Sequence, residues 1–372
     1  MQRLVDLNND SLTETIRGIM ETNYAIGRLT QVNQVLGGYC NKSYAVWLAT
    51  RDHIQRYHLR LYNPKVIESE IVFEHTLLKH LRSNGFTLAA GIIPCTDGTT
   101  MVVTPPPENH QAKRSIWALF EFLEGEDKYS WCDTNLTDKE LTSAADVLAN
   151  LHHSGLGFEK PPGANRTQPQ IMESMSTFEK TFDWALVKTD YPRYEQRFKD
   201  HINAIRKALK DLSSFEARFR GMPELPIHCD YHQGNLKFSD EKCIGVFDFD
   251  WAKIDYRLFD VALALVYFTS IWEKRAVGMK AHSFSLFLRS YNKTCHRLPI
   301  IGPLTRQEMR YLTPMISLAN LYILHWEAMD FLNSPRSDDD EHYRFINHTI
   351  GLLNWIAENQ AKLEQWVKIS LK

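Results

Sequence analysis

The front of the chain alternates apolar and polar residues in short runs that predict a β-sheet. The runs with this pattern are residues 31–36, 43–50, 56–62, 91–94, 100–104 and 116–125. A longer segment, residues 66–81, interrupts these runs. It follows Pro64, and its apolar positions fall mostly at helical spacing. We therefore expect a β-rich region with one central helix, ending near Gly125.

Helical patterns lie on either side of this region. Residues 11–22 predict a short helix capped by Ser11, with Glu14 at the capping-box position. Residues 138–155 place their apolar side chains on one helix face, and residues 258–370 read as several helices rich in Trp, Tyr and Leu. The pattern predicts an α+β chain with two lobes. The first is a small β-rich N-lobe with one key helix (1–125), and the second is a larger, mainly helical C-lobe (126–372).

Composition narrows the class of protein. The 372 residues are 44% apolar and 24% charged, with a net charge of −2, which is typical of a globular chain and provides no basic field for nucleic acid. Six cysteines form no CxxC pair, which favours a reduced, cytoplasmic protein over a secreted one. No apolar run approaches the roughly 20 residues of a membrane span, and the first residues lack a signal core. We expect neither a nucleic-acid nor a membrane partner.

The most informative segment is HCDYHQGN at residues 228–235, followed by IGVFDFDWAK, in which Asp248 comes after four mostly apolar residues. A loop of the form His-x-Asp-x-x-x-x-Asn with a second, later Asp is typical of phosphoryl-transfer sites. ATP carries dense negative charge, and hard oxygen ligands suit the Mg²⁺ that neutralises it. We predict that Asp230 faces the acceptor hydroxyl, that Asn235 and Asp248 bind Mg²⁺, and that His228 braces the loop.

Plainer interpretations exist for each part of this motif. The three fixed loop positions arise by chance in roughly a few per cent of chains of this length, although the strand-like run that ends in Asp248 lowers that rate. Asp260 opens an apolar run that predicts a buried helix, and a helix cap is its ordinary alternative role. Cys229 lies inside the loop, and we interpret it as a small buried side chain rather than a nucleophile.

The two segments together resemble the superfamily of aminoglycoside phosphotransferases, homoserine kinases and choline kinases. The resemblance covers about residues 24–350 and is strongest at 226–265. It implies a protein-kinase-like fold that phosphorylates small-molecule hydroxyls with ATP and Mg²⁺, with ATP in the cleft between the lobes. It also implies a supporting role for Asp260, and for Asp250, which stands where protein kinases have a glycine.

The resemblance also assigns nucleotide contacts in the front half. Family members often carry a glycine-rich turn followed by Asn and a small or polar residue, and Gly38, Asn41 and Ser43 match this pattern. Glycine permits the close approach of backbone to phosphate. An ordinary hairpin turn is the alternative. The segment 116–126 resembles the link between lobes, so the backbone of Glu121 and Leu123 is expected to bind adenine.

Arg60 is the expected phosphate-binding base. It lies among apolar residues of a predicted strand, at the position where a kinase fold places the base that holds the α- and β-phosphates. Arg can grip phosphate in a bidentate manner. Its partner should be an acid on the following helix, because a buried carboxylate needs a cation. Glu74 lies on the apolar face of that helix, and Glu70, one turn earlier, is the competing choice.

The motifs disagree about the acceptor. His232 fits the aminoglycoside-kinase form of the loop, whereas the start and the helical half look more like homoserine kinase. We predict a small-molecule hydroxyl substrate, with a homoserine-type amino alcohol favoured over a sugar or an aminoglycoside. His152, in a family-like LHH segment, is interpreted as structural. The alternative hypothesis is a catalytically inactive kinase fold that binds nucleotide or a partner. The sequence leaves the oligomeric state open.

Overall fold

The structure, a computed structural model, describes residues 3–6, 10–36, 41–105, 114–186, 192–272, 276–333 and 339–370. The chain forms two compact units, each assembled from three separate stretches. Unit 1 contains residues 1–130, 158–166 and 236–250, and unit 2 contains residues 131–157, 167–235 and 251–372.

Unit 1 is built on an antiparallel sheet with the strand order β1-β2-β3-β4-β7-β5, and β6 also pairs with β7. The alternating runs of the sequence place Val46, Leu48 and Leu59 in the core, where they are fully buried. The described elements are β1 (Arg3–Asp6), α1 (Asp10–Asn23), β2 (Arg28–Leu36), β3 (Lys42–Ala49), β4 (Ile54–Leu61), α2 (Glu68–Ser83), β5 (Ile92–Ile93), β6 (Val102–Thr104) and β7 (Ser115–Glu121).

Two later stretches of chain complete unit 1. The hairpin of β9 (Leu236–Ser239) and β10 (Lys242–Val246) turns through Asp240 and Glu241, both with positive φ. It joins the unit because the N–H of Val246 donates to the carbonyl of Leu88 at 2.9 Å, and because Phe238 pairs with Glu126. Asp248 therefore belongs to unit 1.

Unit 2 is mainly helical. Helix α3 begins after Thr137, which forms a capping box with Glu140, and α7 is buried along its whole length. The other elements are α4 (Ile171–Ala185), α5 (Pro192–Ser213), α6 (Glu216–Phe219), β8 (Glu224–Ile227), β11 (Lys253–Tyr256), α8 (Ala281–Arg297), α9 (Arg306–Asn333), α10 (Asp339–Glu358) and α11 (Gln360–Ser370), while α3 spans Asp138–Ser154 and α7 Arg257–Thr269. Strands β8 and β11 pair with each other. Within the described ranges, no helix has the length and hydropathy of a membrane span.

The predicted runs correspond to strands β2 to β7 and helix α2, with boundaries shifted by a few residues. The predicted cap at Ser11 is wrong, because α1 begins at Asp10 and Ser11 lies inside its first turn. The predicted boundary near residue 125 also differs from the observed division. The predicted boundary puts the hairpin that carries Asp248 in the C-lobe, but the pairing of this hairpin with residues 88 and 126 places it in unit 1.

Candidate active site

The loop 228–235 follows strand β8 in unit 2 and ends in a 3₁₀ turn, Gln233–Asn235. This turn brings Asn235 back onto Asp230. The side-chain nitrogen Nδ2 of Asn235 donates to Oδ2 of Asp230 at 3.0 Å and to the backbone carbonyl of Asp230 at 2.9 Å. His232 Nε2 lies 3.5 Å from the same Oδ2. Burial opposes ionisation of Asp230, but the charge and hydrogen bond of His232, the charge of His228 and the hydrogen bond of Asn235 together hold the pKa of this carboxyl below its ordinary value.

Asp260 holds the backbone of the loop 228–235 in place. Its carboxylate is fully buried in α7 and accepts the backbone N–H groups of His228 and Cys229, each at 2.9 Å. His152 Nε2 contacts the same carboxylate at 3.0 Å, and His152 Nδ1 lies 2.8 Å from the hydroxyl of Tyr291. The alternative interpretation of Asp260 as a helix cap is wrong, because the N-cap residue of α7 is Tyr256. Asp260 instead fixes the backbone that carries Asp230.

Cys229 has a left-handed backbone, with φ of 63°. Such a conformation favours glycine and is uncommon for other residues. The Cys229 side chain is fully buried, and its Sγ donates to the Tyr322 hydroxyl at 3.4 Å. Burial raises the pKa of the thiol to about 12. A thiol that stays protonated and is shielded from solvent is a poor nucleophile.

Unit 1 gathers three carboxylates around one guanidinium. Arg60 Nη1 donates to Glu74 Oε1 at 3.0 Å and to Asp250 Oδ1 at 2.5 Å, and Arg60 Nη2 lies 3.9 Å from Asp248 Oδ1. Of the two predicted partners on α2, Glu74 is the one that contacts Arg60, and Glu70 lies one turn earlier. With all three acids ionised, the group carries two more negative than positive charges.

The pKa of Glu74, the most buried of the three acids, is raised in these surroundings. Burial, and then the nearby charge of Asp250, raise the pKa of Glu74 to about 7, although Arg60 acts in the opposite direction. The hydroxyl of Tyr62 also donates to Glu74, at 3.1 Å. Unit 1 therefore has a local demand for positive charge beyond what Arg60 supplies.

Asp248 follows β10 with a φ of 67°, which is uncommon for a residue other than glycine and is often found at functional sites. Its side chain is 38% exposed, so the carboxylate remains accessible to a ligand from solution. The side-chain nitrogen of Asn235 donates to Asp230. The side-chain oxygen Oδ1 of Asn235 is therefore the atom suited to a metal.

These donors fit a hard divalent cation. No group of three or more His, Cys, Asp or Glu side chains suited to hold a metal occurs among the described residues. Mg²⁺ commonly uses one or two protein oxygen ligands and takes the rest from water and substrate phosphates. A carboxylate on Asp248 and an amide oxygen on Asn235 are the donor types that such a cation requires.

The three residues predicted to contact the nucleotide phosphates, Gly38, Asn41 and Ser43, differ in what the structure describes of them. Gly38 lies outside the described residues. The side-chain amide of Asn41 donates to Oδ2 of Asp250, and its Oδ1 accepts the N–H of Asn63 at 2.8 Å. Asn41 and Arg60 therefore both donate to Asp250. Ser43 lies directly opposite Arg60 in the register of β3 and β4.

Glu121 and Leu123 lie at the end of β7 and just beyond it. The N–H of Glu121 donates to the carbonyl of Gly91 at 2.7 Å, and its carboxylate pairs with Arg82 at 3.0 Å. The backbone N–H and the carboxylate of Glu121 are therefore already engaged within unit 1. Leu123 follows the strand in a segment without regular structure. Their role in adenine binding stays a prediction.

Two contributors were missed by sequence reasoning. Arg166 donates to the carbonyl of Phe249 at 3.0 Å and lies over the ring of Phe73, and its charge acts on Glu74. Tyr267 packs its ring 5.0 Å from that of His232, and burial followed by the charge of Asp230 raises the pKa of its hydroxyl. Neither residue belongs to a motif, so no local signal marks them.

Comparison with known proteins places these features in a family. Residues 31–293 match the phosphotransferase enzyme family. A homoserine kinase from Afipia carboxidovorans is 25% identical over 89% of this chain and 87% of its own.

Solved structures share the fold. A microcompartment-associated aminopropanol kinase has a TM-score of 0.68 at 17% identity, over 94% of this chain and 98% of its own. An amicoumacin kinase in complex with AMP-PNP, Ca²⁺ and Ami has a TM-score of 0.66 at 15% identity, over 92% and 93% of the two chains.

The family match covers well over half of the chain and agrees with the motif at residues 228–248. The predicted family, the α+β kinase-like fold and the class of activity are confirmed. The protein belongs to the phosphotransferase enzyme family and is an ATP-dependent kinase of small-molecule hydroxyls.

Proposed function

We propose that the protein transfers the γ-phosphoryl group of ATP, with Mg²⁺, to the hydroxyl of a small amino alcohol of the homoserine type. The observation that carries this proposal is the loop 228–235, in which an ionised Asp230 is held in place by Asn235 and by the Asp260 anchor. A fixed carboxylate is what orients an acceptor hydroxyl in this chemistry. The completeness of the loop disfavours the inactive-kinase alternative.

Asp230 acts mainly by orientation. Its lowered pKa makes it a weak base, so it holds the acceptor hydroxyl as a hydrogen-bond acceptor and takes the proton late, when the oxygen has begun to bond to phosphorus. The hydrogen bond from Asn235 fixes the side-chain rotamer, which lowers the entropy lost in aligning the nucleophile.

The metal would be held by Asn235 Oδ1 and the carboxylate of Asp248. When bound, it would neutralise phosphate charge on the nucleotide. The net negative charge around Arg60 in unit 1 supports this assignment, because a divalent cation would balance it.

Arg60 would contact the ATP phosphates, with Glu74 and Asp250 fixing the orientation of its guanidinium. Two carboxylates on Nη1 leave Nη2 directed towards Asp248 and the nucleotide. Gly38, Asn41 and Ser43 are proposed to line the phosphate turn. The backbone of Glu121 and the backbone of Leu123 are proposed to bind adenine.

The acceptor class rests on the relatives. The matched relative named above is a homoserine kinase, and one structural neighbour is an aminopropanol kinase, so both act on small amino alcohols. The amicoumacin kinase keeps larger antibiotic acceptors as the second candidate class. Cys95, Cys229 and Cys295 are free thiols, which supports a cytoplasmic location, where ATP is abundant.

The test is an ADP-release screen of the purified chain with MgATP. The acceptors are homoserine, ethanolamine, choline, 1-amino-2-propanol, methylthioribose, hexosamines and aminoglycosides. We expect the highest kcat/KM with homoserine or another short amino alcohol, and loss of that activity in Asp230→Asn. Highest kcat/KM with an aminoglycoside would overturn the acceptor class. ATP binding without turnover on any acceptor would support the inactive alternative.

A further inference from the structure

A large groove lies in unit 2, formed by helices α5, α6, α9, α10 and α11. The groove has a volume of about 1240 Å³. None of Asp230, Asn235, Asp260 or Tyr267 lines it. The proposed phosphotransfer chemistry gives this groove no role.

The floor of the groove is apolar. Leu212, Leu353 and Val367 are buried there, and Phe215 contributes a partly exposed ring. Small side chains at the helix positions that face the groove leave it open, since Ala204, Ala208 and Ala357 line it. An apolar floor between helices can hold the apolar face of an added helix.

The rim is positively charged. The lining contains five cationic and two acidic side chains, an excess of three positive charges in a chain whose net charge is −2. One cation is already neutralised, because Lys207 pairs with Asp211 at 2.6 Å. Arg218, Arg306, Arg310 and Lys368 form no ion pair with any carboxylate in the described part of the chain.

Two of these arginines are held against aromatic rings. The guanidinium of Arg218 lies 5.5 Å from the centre of the Phe215 ring, and that of Arg310 lies 5.8 Å from the centre of the Tyr311 ring. The two rings contact each other edge to face at 5.9 Å. Arginine and aromatic side chains are both enriched at protein interfaces.

We propose that this groove binds an acidic amphipathic helix of a partner protein. The apolar face of that helix would cover Leu212, Phe215 and Leu353, and its Asp or Glu side chains would pair with Arg306 and Arg310. The volume exceeds the roughly 300–1,000 Å³ of common small-ligand pockets, which favours a peptide segment. The apolar floor disfavours a nucleic acid, which needs charge and stacking rather than an aliphatic surface.

The test uses the full chain and a fluorescein-labelled synthetic peptide of about 16 residues, a length that can form an isolated helix. Leucines at positions i, i+3, i+4 and i+7 form one face, and glutamates fill the rest. A peptide of the same composition in scrambled order is the control. We expect micromolar binding of the amphipathic peptide by fluorescence anisotropy, and binding of the scrambled peptide that is weaker by roughly tenfold.

Two variants localise the binding. Arg306→Glu with Arg310→Glu should weaken it by roughly tenfold or more, whereas Arg51→Glu with Arg289→Glu, two exposed arginines outside the groove, should not. Ala357→Trp keeps the charge, fills the groove at an exposed helix position and should also weaken binding. Circular dichroism and the ATP-dependent activity of each variant report on folding.

Several outcomes would overturn the proposal. These are no binding by the wild-type chain, equal losses in the two double variants, or unchanged binding in Ala357→Trp. Tighter binding of a single-stranded oligonucleotide, lost in Arg306→Glu with Arg310→Glu, would show a nucleic-acid site instead. None of these results bears on phosphotransfer, so the proposed function is tested separately.

Discussion

The carboxylate of Asp230 is partly exposed, yet both its side chain and its backbone are held in a fixed orientation. Asn235 and His232 hold its carboxylate, while the Asp260 anchor holds its backbone. Because its pKa is lowered, Asp230 is ionised from neutral pH down to below its ordinary value of 3.8. It therefore cannot cause a loss of activity between about pH 8 and 5.

Substitution of this carboxylate gives a direct test. Asp230→Asn should keep the fold and ATP binding and lower kcat by roughly a hundredfold or more, because the amide keeps the shape but loses the charge that orients the hydroxyl. Asp240→Asn, in the β9–β10 turn, is the matched control. Near wild-type turnover in Asp230→Asn would remove the residue from the mechanism.

Cys229 is expected to be chemically silent. It is buried and its pKa is raised to about 12, so iodoacetamide should alkylate the partly exposed Cys132 first while activity persists. Cys229→Gly should keep kcat within a few-fold, because glycine accepts the left-handed backbone. Mass spectrometry of the labelled sites, followed against activity, gives the answer. Inactivation that tracks alkylation of Cys229 would contradict this interpretation.

At the level of secondary structure, strand β4 and helix α2 act together because Arg60 and Glu74 join them. Arg60→Ala should lower kcat/KM for ATP by roughly a hundredfold, and Glu74→Ala by less, since Asp250 still holds the guanidinium. The double variant should be little worse than Arg60→Ala. Arg60→Lys should recover part of the activity.

The control for this pair lies on the same helix. Glu70→Ala, one turn earlier than Glu74, should change kcat/KM little, because Glu74 is the acid that contacts Arg60. Steady-state kinetics with ATP as the varied substrate measures all five variants. Additive losses in the double variant would mean that the two residues act independently.

Asp260 joins helix α7 to the loop 228–235. Asp260→Asn replaces an acceptor of two N–H groups and one imidazole by a side chain that must also donate, so a buried polar contact is lost. We expect a loss of about 3 kcal/mol in the free energy of unfolding, with faster hydrogen exchange at the amides of His228 and Cys229. Asp183→Asn breaks an exposed ion pair and should cost below about 1 kcal/mol. Equal costs in urea denaturation would contradict a special role for Asp260.

For the molecule as a whole, we expect the proposed metal to serve the reaction, because Mg²⁺ with one or two protein oxygen ligands takes the rest from water and substrate phosphates. EDTA should abolish phosphotransfer, excess Mg²⁺ should restore it, and the thermal midpoint should stay unchanged. Asp248→Ala should remove metal-dependent activity, while Asp52→Ala, an exposed acid in the same unit, should not. Full activity with an unchanged Mg²⁺ requirement in Asp248→Ala would exclude Asp248 as a ligand.

The fold class and the chemistry were predictable because their signals are local. Alternation along β2 to β4 marks a sheet, helical spacing marks α2, and the loop from His228 to Asn235 carries its functional groups within eight residues. Each of these patterns is fixed by neighbours in the chain, since backbone periodicity and a short loop need no distant partner.

Contacts between distant residues were not predictable in the same way. Arg60 meets Asp250 across 190 positions, and Asp260 reaches the N–H of His228 across 32. The hairpin with Asp248 joins unit 1 through Leu88, and Arg166 reaches Phe249, without any motif that announces either contact. Such contacts depend on how whole helices and strands pack against each other. Because many different sequences are compatible with the same packing, no local pattern identifies the two residues that meet. The types of catalytic residue can therefore be inferred from the chain, whereas their partners follow from the folded core.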